Sequence, residues 1–166
     1  MVSLEYLAGF FDGEGCITLC DGKRKYNLKC ICGNTVKESV ELFQERFGGK
    51  VYLQDRPFNK PNWKVLWKWV VTDSLADAFI REILPYLRIK RAVAELALEF
   101  RAIPLKPKGN FKSGDYRLIV KAEIQSKRDT VVNRLRSLNF RGRFLRQPSG
   151  TPKAEILPEV YPAKES

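Results

Sequence analysis

The chain has 166 residues, with 30 lysines and arginines against 19 acids, for a formal charge of +11 and an isoelectric point near 9.6. That length suits one well-buried domain, and a positive excess spread through the folded segments calls for a polyanionic partner. Histidine is absent, which excludes a Ser-His-Asp triad, a histidine-based nuclease site and Cys2His2 zinc; hydrolytic chemistry would have to rest on carboxylates, lysines and a bound metal.

In chain order, Leu4, Leu7 and Phe11 recur at the spacing of one apolar helix face, which predicts a helix over 4–12 broken by Gly13 and Gly15. Asp12 and Glu14 then fall at its C-terminal end. That is the negative end of the helix dipole, where cations are preferred, so the two acids suggest a missing cation. Cys16 to Cys20 alternates, Asp21-Gly22 reads as a turn and Tyr26 to Ile31 alternates again, making a hairpin. The spacings of Cys16, Cys20, Cys30 and Cys32 do not resemble a zinc knuckle, and the four read as small strand hydrophobes in a reducing compartment.

Val36, Val40, Phe43 and Phe47 predict a second helix stopped by Gly48-Gly49. A second hairpin follows, with strands over 51–56 and about 63–72. Asp73 or Ser74 can cap a helix that ends at Pro85, another helix spans about 90–101, and a long one runs from about Asp115 to Leu138. The order α-β-β-α-β-β-α-α with one extra helix predicts an α+β fold, a four-stranded antiparallel sheet with helices on one face. We read residues 1–104 as the core, 105–141 as a helical extension of the same domain and 142–166 as a proline-containing tail. No window reaches the length of a membrane span and the N-terminus lacks a basic lead-in, so a soluble intracellular protein without a membrane partner is expected.

The sheet's other face must meet something. Strand alternation turns Lys25, Asn27 and Lys29, then Tyr52, Gln54 and Arg56, then Lys64 and Lys68 away from the helices, and no acid falls among them. An acid-free basic row is suited to nucleic acid, since β-ribbons can enter the major groove.

The stretch LAGFFDGEG, residues 7–15, resembles the signature of the LAGLIDADG homing endonucleases, and Phe47 to Tyr52 together with LPYLRIK, residues 84–90, extend the likeness over about 4–101. The resemblance implies an αββαββα core whose saddle-shaped antiparallel sheet lies on double-stranded DNA. It makes Glu14 the metal-binding carboxylate, with the Gly13 carbonyl beside it, for Mg2+ or for Mn2+ or Ca2+ in its place. Asp12 becomes an acid that supports the helix end. Lys90 corresponds to the family's basic residue beside the scissile phosphate. The water-orienting position falls on Cys32, Gly33 or Asn34, of which Asn34 has the needed chemistry.

Motif helices pair in this family, which places Leu7, Ala8, Gly9, Asp12 and Gly13 at a dimer seam. Gly9 and Gly13, four apart, permit that close approach. A single signature implies a homodimer making a double-strand cut in a long, roughly palindromic target. The alternatives are an intron maturase binding its host intron RNA, and a DNA-binding regulator, which would carry an added helix-turn-helix that the 115–138 pattern lacks.

Overall fold

The computed structural model describes residues 2–22, 25–54, 64–105 and 114–139. Among them the elements run α1 (Leu4–Glu14), β1 (Gly15–Gly22), β2 (Lys25–Asn34), α2 (Lys37–Phe47), β3 (Lys50–Gln54), β4 (Leu66–Thr72), α3 (Asp73–Ile83), a 3-10 turn (Leu84–Tyr86), α4 (Arg91–Ala102) and α5 (Gly114–Asn139). This is the expected α+β order with α4 and α5 following it. None of the described helices is long and apolar enough to cross a membrane.

The strands form one antiparallel sheet in the order β1-β2-β4-β3, so the two hairpins meet along β2 and β4. Register puts Ile17, Cys30 and Val71 in one row and Cys32 and Trp69 in another, and all five are buried against the helices. The centre of that core is aromatic. The Phe79 ring on α3 lies 4.8 Å from Trp69, 4.8 Å from Phe47 and 4.9 Å from Phe11, edge to face in each case. Gly48 and Gly49 have φ of 69° and 90°, and a Cβ at Gly49 would sit 2.5 Å from the Val71 side chain. Only glycine lets the chain pass that close to β4. The indole of Trp69 locks the same turn by donating to the Gly48 carbonyl at 2.7 Å.

Several boundaries differ from the sequence reading for local reasons. Helix α1 does not stop at Gly13: it continues through Glu14 and is capped by Gly15, whose N–H bonds the Phe11 carbonyl. A Cβ on Gly15 would meet the Phe11 ring at 2.3 Å, so Gly15 is the constrained glycine. Asp21 and Gly22, read as a turn, are still paired with Tyr26 and Lys25. Thr72, not Asp73 or Ser74, occupies the N-cap position of α3, without a side-chain cap bond, because β4 runs straight into the helix; Asp73 takes a φ of 50° at the junction. Strand β4 begins at Leu66, so Lys64 precedes it.

Helix α5 packs on α4 and on the helix side of β1 through Val131, Val132 and Leu135. Its buried Arg128 stacks 4.0 Å over the Phe100 ring and donates to the Ile103 carbonyl at 3.1 Å. At its end the Asn139 amide donates to the Ile17 carbonyl at 2.8 Å, and Tyr26 on β2 donates to Asp129 at 2.8 Å. These bonds hold the edge hairpin that leads out of α1. Replacing Phe79 with alanine removes the ring joining α3, α2, α1 and β4 and should destabilise the protein by about 3–5 kcal/mol. Equilibrium denaturant unfolding measures it, and a loss below about 1 kcal/mol would place the aromatic centre elsewhere.

Candidate active site and nucleic-acid face

The C-terminal end of α1 meets the N-terminal end of α4. Asp12 is buried there, at 7% exposure, and its carboxylate accepts three backbone N–H groups: Arg88 at 2.6 Å, Ile89 at 3.1 Å and Lys90 at 2.9 Å. Burial alone would raise this carboxyl, but the N–H groups of Arg88, Lys90 and Ile89 and the charge of Lys90 outweigh it and hold it below the ordinary carboxylate range. The Lys90 ammonium in turn donates to the backbone carbonyl of Asp12. The cation that the α1 end calls for is thus supplied in part by the chain itself.

Glu14, two residues on, faces the other way and is exposed. Two helical residues turn the chain by about 200°, so the inward acid and the outward acid occupy opposite sides of one helix end. Cys32 lies beneath the pair. Its thiol is pushed up to about 12 by burial and by the Glu14 charge, with Lys90 and the Gly33 N–H acting against them. Burial likewise raises Cys16 and, further, Cys30.

Among the described residues no cluster of three histidine, cysteine or acidic side chains could hold a metal. What one protomer offers is a single exposed carboxylate, Glu14, next to the carbonyls of the last helical turn, Gly13 included, which have no partners within the helix. That all-oxygen donor set fits a hard divalent cation, provided other ligands complete it.

The remaining residues fall in different places. Lys90 is half-buried beside this end of α1. Asn34 shares the helix-side parity of Cys30 and Cys32, and its side-chain oxygen accepts the Val36 N–H at 2.9 Å in the turn before α2. The outward residue next to it is Gly33. Leu7, Ala8 and Asp12 are buried within their own protomer and so do not form an exposed seam. Their side chains fill the stripe that packs on the sheet, on α3 and on the 3-10 turn. The exposed side of α1 carries Glu5, Tyr6, Gly9 and Gly13 instead.

On the outer sheet face, Asn27, Lys29, Tyr52, Gln54 and Lys68 share the outward parity with Thr18, Ile31 and Val70. A hollow of about 570 Å³ opens there, lined by Cys20, Asn27, Lys29, Lys50, Tyr52 and Thr72. Lys50 was missed in the sequence because β3 was started at Val51; the alternation of Tyr52 and Gln54, carried back one step, finds it. Lys64 is exposed ahead of β4. Arg56, and the side chain of Lys25, lie outside the described residues.

The family model of the LAGLIDADG-like domain matches residues 1–84, which include the α1 signature and both hairpins. The chain belongs to the LAGLIDADG homing endonuclease family. No curated protein sequence matches it. Among solved structures, the homing endonuclease I-CvuI, in complex with its target in the presence of calcium, is similar at 20% identity, with a TM-score of 0.59 over 84% of this chain and 83% of that one. The archaeal intron-encoded homing endonuclease I-Vdi141I, complexed with DNA, gives 13% identity and a TM-score of 0.62 over 87% and 88% of the two chains. The LAGLIDADG meganuclease I-AabMI, bound to uncleaved DNA, gives 16% and 0.52 over 79% of this chain but 44% of its own. At these identities the likeness shows the LAGLIDADG fold.

Within that fold the Asp12 junction has a testable energetic role. Asp12→Asn would turn an amide toward three N–H donors and should destabilise the protein by about 3 kcal/mol at pH 7. Because the native carboxyl titrates below its unfolded value near 3.8, its stabilisation is complete above that value and is lost as the pH falls through the native one. The gap between wild type and variant in denaturant unfolding should therefore shrink below about pH 4; a gap that is equal at pH 7 and pH 3 would contradict the junction's ionic character.

Proposed function

We propose that this chain is a homing endonuclease that, as a homodimer, makes a metal-dependent, site-specific double-strand cut in a long, roughly palindromic DNA target. The observation that carries the reading is the free face of α1. A Cβ at Gly9 or Gly13 would have nothing within 4 Å, so neither residue has a reason within its own chain to be glycine. A second helix laid against that face supplies one, because glycines spaced by four let two backbones approach closely. The same face ends in exposed Glu14. Two such helices related by a dyad bring two carboxylates together, one for each strand. The 44% coverage of I-AabMI supports the same count, since a second copy would make up about the rest of such a molecule.

Glu14 and the Gly13 carbonyl would hold Mg2+, with Mn2+ or Ca2+ as substitutes. Such an ion activates water and steadies the leaving 3′ oxygen. The water oxygen bonds to phosphorus as the P–O3′ bond breaks; one water proton goes to solvent and the leaving oxygen takes one up, giving a 3′-hydroxyl and a 5′-phosphate. Lys90 offsets the charge that grows on the phosphoryl oxygens. Asp12 positions Lys90 for this by holding its backbone N–H. Substrate contact falls to the outer sheet face, where Asn27, Lys29, Lys50, Tyr52 and Gln54 offer base-edge and phosphate partners, with Lys64 ahead of β4.

Glu14→Gln should reduce cutting by roughly 10³-fold or more while the variant still binds the duplex, since the amide keeps the shape and loses the charge that holds a cation. Cleavage and gel-shift assays on a duplex selected from a randomised library decide it, and full cleavage by E14Q would sink the assignment. A Cβ at position 9 meets nothing within 4 Å among the described residues, so Gly9→Leu points its side chain away from them. The variant should therefore fold normally by circular dichroism, sediment as a monomer and cut neither strand. A G9L chain that still sediments as a dimer would move the seam off α1.

A further inference from the structure

The outward residues of the sheet form rows across its strands, and Glu14 ends α1 beside one of them. Glu14 directly precedes Gly15, which pairs with Cys32; the next residue of β2, Gly33, pairs with Lys68, and Lys68 with Tyr52. The influence of Glu14 on the Cys32 thiol places its charge at this point of β2. Gly33 brings no side chain to the row. A Cβ there would lie 3.8 Å from Lys68 Cγ and 3.6 Å from Leu66 Cδ1, so the Lys68 stem runs through space that a larger residue at 33 would claim. Lys68 forms no ion pair among the described residues.

Resting on the endonuclease reading above, we propose that Lys68 is a second catalytic lysine, which contacts the scissile phosphate from the sheet side while Lys90 contacts it from the α4 side. Gly15 pairs with Cys32 and Cys32 with Trp69, so the residues next to Glu14 and Lys68 are two interstrand spacings apart, about 10 Å, and a phosphate lying between them would meet both side chains. Gly33, one of the three positions on which the resemblance puts the water-orienting residue, brings no side chain. Lys68 fills that place with a charge. A phosphoryl group in transition gains negative charge on its equatorial oxygens, and two ammonium groups on different sides of it stabilise that charge without exchanging a proton. Lys29 and Lys50 lie in the rows of Thr72 and Val70, farther along the sheet from Glu14, and have no such position.

The test is single-turnover cleavage at saturating protein by full-length Lys68→Met, Lys68→Gln and Lys68→Arg variants. The expected result is a rate roughly 10²-fold lower for K68M and K68Q, restored to within about 3-fold by K68R, with dissociation constants and unfolding midpoints close to wild type. Rescue by arginine excludes a packing role for the stem, because a structural defect would not follow the charge. If the wild type cuts and K68M or K68Q matches its saturated rate, the proposal is overturned. It is overturned equally if their defect is weaker binding that disappears at saturation, which would make Lys68 an ordinary phosphate contact. A wild-type protein that cuts no duplex from the randomised library in Mg2+ or Mn2+ would instead remove the endonuclease reading, and the Lys68 role with it.

Discussion

The buried Asp12 carboxylate, gripped by three successive backbone N–H groups, is the interaction on which the rest of the site depends. A buried charge is costly unless it is fully hydrogen-bonded. Here the donors are the orphan N–H groups that precede α4, and the acceptor sits at the end of α1, where acids are normally disfavoured. Two unfavourable helix ends cancel by facing each other. Lys90 closes the arrangement from the other side through the Asp12 carbonyl. The consequence is positional: an ammonium group is pinned beside the point where Glu14 leaves the helix, between elements that are themselves anchored in the core.

The motif helix divides its labour by face. Leu7, Ala8, Phe11 and Asp12 belong to the interior of their own protomer, while Gly9, Gly13 and Glu14 belong to its exterior. Such a helix can tie a fold together and still present a smooth outer surface, because the residues that secure it are not those left available for a partner. Gly15 shows the difference in kind among the glycines. Its missing side chain makes room for the Phe11 ring, whereas Gly9 and Gly13 make room for nothing in the same chain.

The sheet repeats this division. Its helix side is sealed by the aromatic cluster around Phe79 and Trp69, and β1, an edge strand, is held by α5 through Asn139. The outer side carries lysines, amides and a tyrosine without a carboxylate among its described outward residues. In an isolated protein that surface would repel itself, which destabilises the folded state slightly and favours a polyanion as partner. The hollow lined by Lys29, Lys50 and Tyr52 gives the surface a concave shape as well as a sign.

Periodicity alone made most of the fold legible. Apolar residues at helical spacing in α1, α2 and α3, alternation in the hairpins and the Gly48-Gly49 stop are local signals, and local signals determine which elements exist and which face of each is apolar. The signature in α1 and the segment ending at Lys90 likewise singled out Glu14 and Lys90 before any contact was known. What tertiary structure alone decided is where side chains of similar chemistry end up. Asp12 and Glu14 are both acids at one helix end, yet one is buried among N–H groups from residues 88–90 and the other is free, since the donors come from far along the chain. Asn34 was the plausible water-orienting residue by type, but strand parity turned it inward, and a neighbouring N–H took its oxygen. Leu7 and Ala8 read as part of a seam in sequence, but the sheet, α3 and the 3-10 turn cover them. Lys68 came level with Glu14 only through the order β1-β2-β4-β3, which sets β4 beside β2. Sequence spacing carries no information about that row, because hydrogen-bond register between distant strands creates it.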